Sequence, residues 1–473
     1  MPRNATPSDP YLDTTGGAGE PGRRLLVVSY HFPPSPAVGG LRWQRLSWLA
    51  AERGWAIDVI ARDPAELGGG DASRLQDTPR GLRAYGVRTP PLRLDALEDA
   101  VASQLRRLRS RKGSRPSSAT LAGADAPRSY SRSDITWRAD RVTLARTWHA
   151  WRSVQVERAW AGVAAELGTR LALRRGGDHR AVISCGPPHE VHSAGLWIAE
   201  RTGLPLVLDL RDPWSLQQRL SHGVASPLWF TLAERHEANA VARAALVVCN
   251  TEPAAEAMRR RYPAARVMAV MNGMDDGELP ASTAAARFVV GYAGAIYLDR
   301  DPRPLLQAAG KVARELRLTP ERFGIEFIGE ANRYDGQSLD GFTREAGISE
   351  FVHFGARRPY AEAMAFLASC AMLVSLPQDS TLAIPSKVFE YLRFPAWLLA
   401  LAESGSATAR VLEGTGADVV APDDVDGIAA AIRRRYLQFA AGETPRPLDF
   451  DPRLTRRHQG GLLLNALEEI TSA

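Results

Sequence analysis

Lys387 and Glu390 stand three residues apart in the stretch "LAIPSKVFEYLRFPAWLLALAESGSA", residues 382–407. On a helix opening near Ser386, that spacing puts both on one face within the first turns. Only three of the 59 basic residues are lysines (Lys112, Lys311 and Lys387), so an ammonium between two apolar runs stands out. Helix N-terminal amides favour anions, and a lysine beside them adds a compact charge suited to phosphate. A carboxylate one turn on accepts hydrogen bonds from sugar hydroxyls. A phosphorylated sugar would use both groups. The spacing alone also fits an exposed intrahelical Lys–Glu pair, worth a few tenths of a kcal/mol.

Other groups carry chemistry of their own. Asp299, Arg300 and Asp301 form a D-x-D after an apolar strand-like run, the pattern of a metal-dependent sugar transferase. In "CGPPHEVHSAGL", His189 and His192 are three apart, which lacks the four-residue spacing of a zinc-protease helix. His189 is read as a polar group on the acceptor side or as a helix cap. In "LDLRDPWS", Arg211 and Asp212 leave a strand's carboxyl end, where Asp212 could orient or deprotonate an acceptor hydroxyl, or pair with Arg211 to close the loop. Cys185, Cys249 and Cys370 lie far apart beside apolar runs, with neither a disulfide framework nor metal-ligand spacing. They read as buried small apolar residues in a reducing compartment.

These groups need elements to hold them. A chain of 473 residues, 45% apolar and 24% charged, has the composition of a globular protein of two or three domains. "RRLLVVSYHFPP", "GGLRWQRLSWLAAERG" and "WAIDVIA" read as strand, helix and strand; the alternation resumes from "RAVISCGPP" to "RVMAVMNGMDD". After "GELPASTAAA", which reads as a linker, a second alternating set runs from "RFVVGYAGAIYLDRDP" through "GIAAAIRRRYLQF". Alternation predicts an α/β protein with two parallel sheets, helices on both faces and a cleft between the carboxyl ends of the strands. The expected division is a disordered tail at 1–22, a first domain at 23–280, a second at 288–455, and a helix at 456–473 that packs back on the first. No apolar run reaches the length of a signal peptide core or a membrane span, so a cytoplasmic protein is expected. No G-x-G-x-x-G follows a strand, which argues against a nicotinamide enzyme.

The charge is concentrated. Residues 80–180 hold 21 basic and 9 acidic side chains, and the rest of the chain is net acidic. Within an insertion near 95–160, Trp137, Trp148, Trp151 and Trp160 alternate with arginines in helical period. That pattern suits either anionic lipid headgroups or a solvated helix with its tryptophans turned into a core. No recognised nucleic-acid motif accompanies the charge, so nucleic acid is not an expected partner.

The segment "IPSKVFEYL" followed by "PAWLLALAESGSATARVLEGTGADVVAPDD" resembles the donor-binding region of GT-B glycosyltransferases, specifically the retaining family-four group. "SYHFPPSPAVGGLRWQRLSWLAAERG" is similar to that group's opening strand and glycine loop. "VVCNTE", "VMNGMDD" and "GYAGAIYLDRDPRPLLQA" come next in the same order. The resemblance spans residues 23–455 and implies two Rossmann-like domains with the ligand cleft between them. It implies Arg300 and Lys387 on the donor diphosphate, Glu390 on the ribose, Ser386 and Gly294 close to the nucleotide, and Gly39 and Gly40 in the N-terminal loop. The partners implied are a nucleotide-diphosphate sugar and a sugar, lipid-linked or polysaccharide acceptor, with no cofactor and no metal. Many members carry a Glu-x7-Glu pair; here Leu382 stands where the first glutamate would be. A non-catalytic nucleotide-sugar-binding protein and a D-x-D transferase are the competing expectations.

Overall fold

The computed structural model describes residues 9–16, 23–37, 39–92, 129–138, 140–174, 178–275, 277, 279–280, 286–296, 300–377 and 380–472. Eight strands build the first sheet: β1 (Leu12–Asp13), β2 (Arg24–Ser29), β3 (Ala56–Arg62), β4 (Leu82–Val87), β5 (His179–Cys185), β6 (Leu206–Arg211), β7 (Leu246–Cys249) and β8 (Val267–Ala269), in the order β1-β4-β3-β2-β5-β6-β7-β8. Six build the second: β9 (Phe288–Ala293), β10 (Phe323–Ile328), β11 (Val352–Gly355), β12 (Met372–Ser375), β13 (Trp397–Leu401) and β14 (Asp418–Val420), in the order β11-β10-β9-β12-β13-β14. Every pairing in the two sheets is parallel except that of β1. Continuous apolar runs such as Leu25–Val28 explain this. Both faces of β2 are buried, as a parallel strand between helical layers must be.

Residues 1–22, expected to be a disordered tail, contain an ordered stretch. Leu12 pairs with Ala84 and Asp13 with Arg83 as an antiparallel edge. The Thr14 hydroxyl donates to the Leu82 carbonyl at 2.9 Å, and Tyr11 Oη donates to the Pro33 carbonyl at 2.8 Å. A two-residue strand leaves no periodic signal in sequence; its order comes from the edge it covers.

Much of the basic insertion, residues 93–128, lies outside the described residues. Its remainder leads into a 33-residue helix, Arg141–Leu173, roughly 50 Å long at 1.5 Å per residue. The carboxyl half of this helix is core. Trp160, Ala161, Ala164 and Leu167 are buried, and Trp160 Nε1 donates to the Val87 carbonyl at 3.1 Å. The amino half exposes Val142, Leu144 and Trp148, with Trp137 just before it. Trp148 stacks on Trp151 with centroids 5.2 Å apart. The four tryptophans therefore divide between core and surface.

The last helix, Arg456–Ser472, buries Leu463, Leu464 and Leu467 in the same cluster as Trp43, Leu46 and Val27 of the first sheet. The chain thus crosses back after the second sheet. Met274 and Thr455 form a parallel bridge at the crossing, and Arg456 Nε reaches Asp275 at 2.6 Å.

Candidate functional site

Lys387 lies at the carboxyl end of β9. Its helix, Ser386–Tyr391, starts directly after Pro385 and is only six residues long, with no side-chain cap. A helix this short has little macrodipole, so positive charge at this point must come from side chains. Lys387 is half-buried and donates to the Ala293 carbonyl at 3.1 Å, with its ammonium 3.7 Å from the Tyr292 ring centroid. Burial, then Arg300, hold its pKa well below the usual lysine value, and Glu390 opposes them. Two cations therefore converge here. Among the described residues, no carboxylate lies within ion-pair distance of Lys387.

The loop beneath is closely determined. The Ala295 carbonyl accepts from Tyr292 Oη at 2.9 Å and from Arg300 Nη1 at 3.4 Å, while Gly294 N–H donates to the Ile328 carbonyl at 2.8 Å. Gly294 has φ +139°, and a Cβ there would sit 2.8 Å from Lys387 Nζ. Both the conformation and the space call for glycine. Gly294→Ala is expected to cost about 1–3 kcal/mol of stability, the range for a strained backbone position, and to displace Lys387. The checks are a denaturation midpoint and a nucleotide titration.

Glu390, half-buried one turn on, has its pKa raised by burial and then by Asp275, with Lys387, Arg456 and Arg393 opposing. Asp275 belongs to the "NGMDD" stretch, so that motif contributes a carboxylate beside Glu390. Tyr360 joins this group: burial and then Glu390 push its hydroxyl up to about 12. Ser386 opens the helix and is half-buried. Of the D-x-D, Asp299 lies outside the described residues, and Asp301 is engaged by Arg303 at 2.7 Å.

Leu382, at the position of the absent glutamate, acts through its backbone and its packing. Its carbonyl accepts from Thr251 Oγ1 at 2.5 Å, and its side chain packs against the first sheet's core. Thr251, from "NTE", also caps the helix Glu252–Arg261 by accepting from Ala254 N–H at 3.2 Å. The two halves of the chain are tied at this loop.

The remaining candidates form a second group at the carboxyl ends of β2, β5 and β6. Arg211 sits at φ +57° and donates to the Gly39 carbonyl at 3.3 Å. A Cβ on Gly39 would meet Arg211 Nη1 at 2.9 Å, and one on Gly40 would touch Phe32 backbone at 3.4 Å, so the glycine pair lets helix Gly39–Glu52 begin against this arginine. Beneath it lies a buried ion pair that the sequence did not disclose. Arg42 Nε donates to Asp209 at 2.8 Å, and the same oxygen accepts from Trp43 Nε1 at 3.0 Å. His31, beside Gly39, is held down to about 4 by burial and then Arg211. Asp212 is exposed at the loop's rim.

His189 is buried and does not cap its helix, Val191–Thr202, whose N-cap position is Glu190, and its pKa is well below the usual value through burial, then His192 and Arg211. His192 is buried too, with Nδ1 2.9 Å from Ser184 Oγ. Among the described residues no group of three or more His, Cys, Asp or Glu side chains converges as metal ligands would. The three cysteines are buried free thiols, and burial pushes Cys185 up to about 12.

No family model and no curated protein matches the chain. Solved structures do match it. Sucrose-phosphate synthase from Thermosynechococcus elongatus is 14% identical with a TM-score of 0.52, over 95% of this chain and 96% of that one. A mutant of S. aureus TarM in complex with fondaparinux, α-GlcNAc-glycerol and UDP is 8% identical with a TM-score of 0.57, over 95% and 100%. UDP-GlcNAc 2-epimerase from Methanocaldococcus jannaschii is 8% identical with a TM-score of 0.52, over 94% and 99%. Identities this low speak for the fold alone, and with two parallel sheets whose strand-end loops carry the candidate residues, the chain has the GT-B fold of two Rossmann-like domains.

Proposed function

We propose that the protein is a glycosyltransferase that moves a sugar from a nucleotide-diphosphate donor to an acceptor hydroxyl. The observation that carries this reading is the convergence of Lys387 and Arg300 on the glycine loop at Gly294. A diphosphate in that place would restore the ammonium that burial and Arg300 disfavour. When the bond between the anomeric carbon and the diphosphate oxygen breaks, negative charge grows on the leaving phosphate, and fixed cations stabilise it there. Glu390 is assigned to the ribose hydroxyls, with Ser386 and Gly294 beside the nucleotide. Arg211, Asp212 and His189, with the Gly39–Gly40 loop, are assigned to the acceptor side, where Asp212 would orient or deprotonate the attacking hydroxyl. Retention of anomeric configuration is part of the proposal, and its support is the Pro-Ser-Lys-x-x-Glu-Tyr-Leu segment alone.

The test is a panel of nucleotide sugars, scored for release of the nucleoside diphosphate. Release with one donor, unchanged after chelator treatment, is the expected result because Arg300 and Lys387 are assigned the leaving-group charge. Activity abolished by chelator and restored by manganese would favour the D-x-D reading. The fold also houses a 2-epimerase, so a nucleotide sugar isomerised without any acceptor would favour that chemistry instead.

The acceptor's setting is proposed to be the cytoplasmic face of a membrane. Among the described residues no helix is long and apolar enough to cross one. The support for surface contact is the exposed set Trp137, Leu144 and Trp148 with Arg138 and Arg141 around it. Binding to anionic vesicles is expected to weaken steeply with salt, since charge is screened over about 8 Å at physiological ionic strength. Equal binding to neutral vesicles would count against it.

A further inference from the structure

A pocket of about 410 Å³ opens at the carboxyl ends of the first sheet's strands, and its walls include Trp214, Trp229, Glu157, His189, Glu190 and His236. Its size falls in the range of small-molecule sites. His189 is 4% exposed, yet among the described residues neither of its ring nitrogens has a hydrogen-bond partner. A buried polar group left so is costly unless a ligand or water completes it. Trp214 packs against the same ring, with centroids 4.7 Å apart.

The charges in the pocket are unevenly satisfied. Glu190 accepts from Ser193 Oγ at 2.6 Å, from Arg158 at 3.2 Å and from His236 Nδ1 at 2.5 Å. Arg158 is thereby occupied, and its guanidinium also lies over the Trp197 ring. Glu157 is differently placed. Burial and then the Glu190 carboxylate push it up to about 7, against a hydrogen bond from the Glu190 backbone. Arg211, whose charge also reaches His189, is turned to the Gly39 carbonyl.

We infer that this pocket binds the uncharged ring of a sugar, held by His189 and Glu157 against the indoles of Trp214 and Trp229. Naming that ring the acceptor rests on the transferase reading; the binding does not. A neutral imidazole offers one donor and one acceptor, which matches a hydroxyl that both gives and takes a hydrogen bond. A carboxyl accepts from a neighbouring hydroxyl, and the indoles cover the C–H faces of the ring. A phosphoryl group would instead face the Glu190 carboxylate and would add to the negative charge that already disfavours the ionised Glu157, with Arg158 engaged elsewhere, and would be rejected.

The test uses the full chain without donor. Tryptophan fluorescence and saturation-transfer NMR are recorded with methyl glycosides of common hexoses and N-acetylhexosamines, and with the matching hexose 6-phosphates. At least one neutral glycoside is expected to bind, with its phosphate roughly tenfold weaker or worse, a gap of about 1.4 kcal/mol. Trp229→Ala and Glu157→Gln, each checked for a parental unfolding midpoint, are expected to weaken that glycoside by a similar factor. Phosphates binding as well as glycosides, glycoside binding untouched in both variants, or no glycoside binding at all would each overturn the inference. A protein that binds nucleotide sugar through Lys387 but no glycoside fails this inference only. Glycoside binding alongside nucleotide binding indifferent to Lys387 fails the transferase reading only.

Discussion

Lys387→Ala is expected to lower sugar transfer by roughly 10²-fold or more, the scale of losing one preorganised group that stabilises transition-state charge. Folding should be nearly untouched. The folded protein holds Lys387 at a pKa below that of the unfolded chain. Between those two values the unfolded state binds more protons, so this group makes stability rise with pH, and below both values it is a constant cost. Alanine removes that cost along with the contact to Tyr292. The donor dependence runs the other way. A diphosphate prefers the ammonium, so donor affinity should fall as pH rises from below toward the ordinary lysine range, earlier than an exposed lysine would allow. Lys387→Arg keeps the charge at every accessible pH. It should retain partial activity with a flat profile, and a parental decline in that variant would move the titration to another group.

The second large effect is structural. Asp209→Asn should cost about 3–5 kcal/mol, because it leaves the buried Arg42 guanidinium without its counter-charge. Asp209 is fully buried, and Arg42 is only 4% exposed. The loss should be read as a shift of the denaturation midpoint. Arg42 also reaches the Val270 carbonyl at 2.9 Å and Asn272 Oδ1 at 3.2 Å, so the pair ties the glycine-loop helix to the "NGMDD" stretch that supplies Asp275. An Asn variant as stable as the parent would mean that the interior rehydrates Arg42 at little cost.

The parts of the site that sequence discloses are those whose signal is local. Strands such as β2 and β12 are continuous apolar runs, and Lys387, Ser386 and Glu390 belong to one short segment whose residue types already name phosphate and hydroxyl chemistry. Gly294 comes directly after its strand. What escapes depends on long closures: Arg42 finds Asp209 at 167 residues' remove, and Thr251 finds Leu382 across 131. No periodicity encodes such pairs. His189 is legible as polar and near a strand end, but it is buried with Trp214 packed against its ring, which a loop sequence does not announce. Glu157 sits in a helix that reads as basic and aromatic; its raised pKa comes from burial and then from the approach of Glu190, and neither is written in the local sequence. The basic insertion reads as one feature in sequence, whereas the helix divides it, placing Trp160 in the core and Trp148 at the surface.

The most direct measurement is a calorimetric titration of the parent, Lys387→Ala and Glu390→Ala with uridine, guanosine and adenosine diphosphates. One of these is expected to bind the parent, with Glu390→Ala weakening it through lost ribose contacts and Lys387→Ala weakening it by roughly tenfold or more, about 1.4 kcal/mol. A nucleotide that binds the parent and Lys387→Ala with the same affinity would contradict the placement of the diphosphate at Lys387 and Arg300.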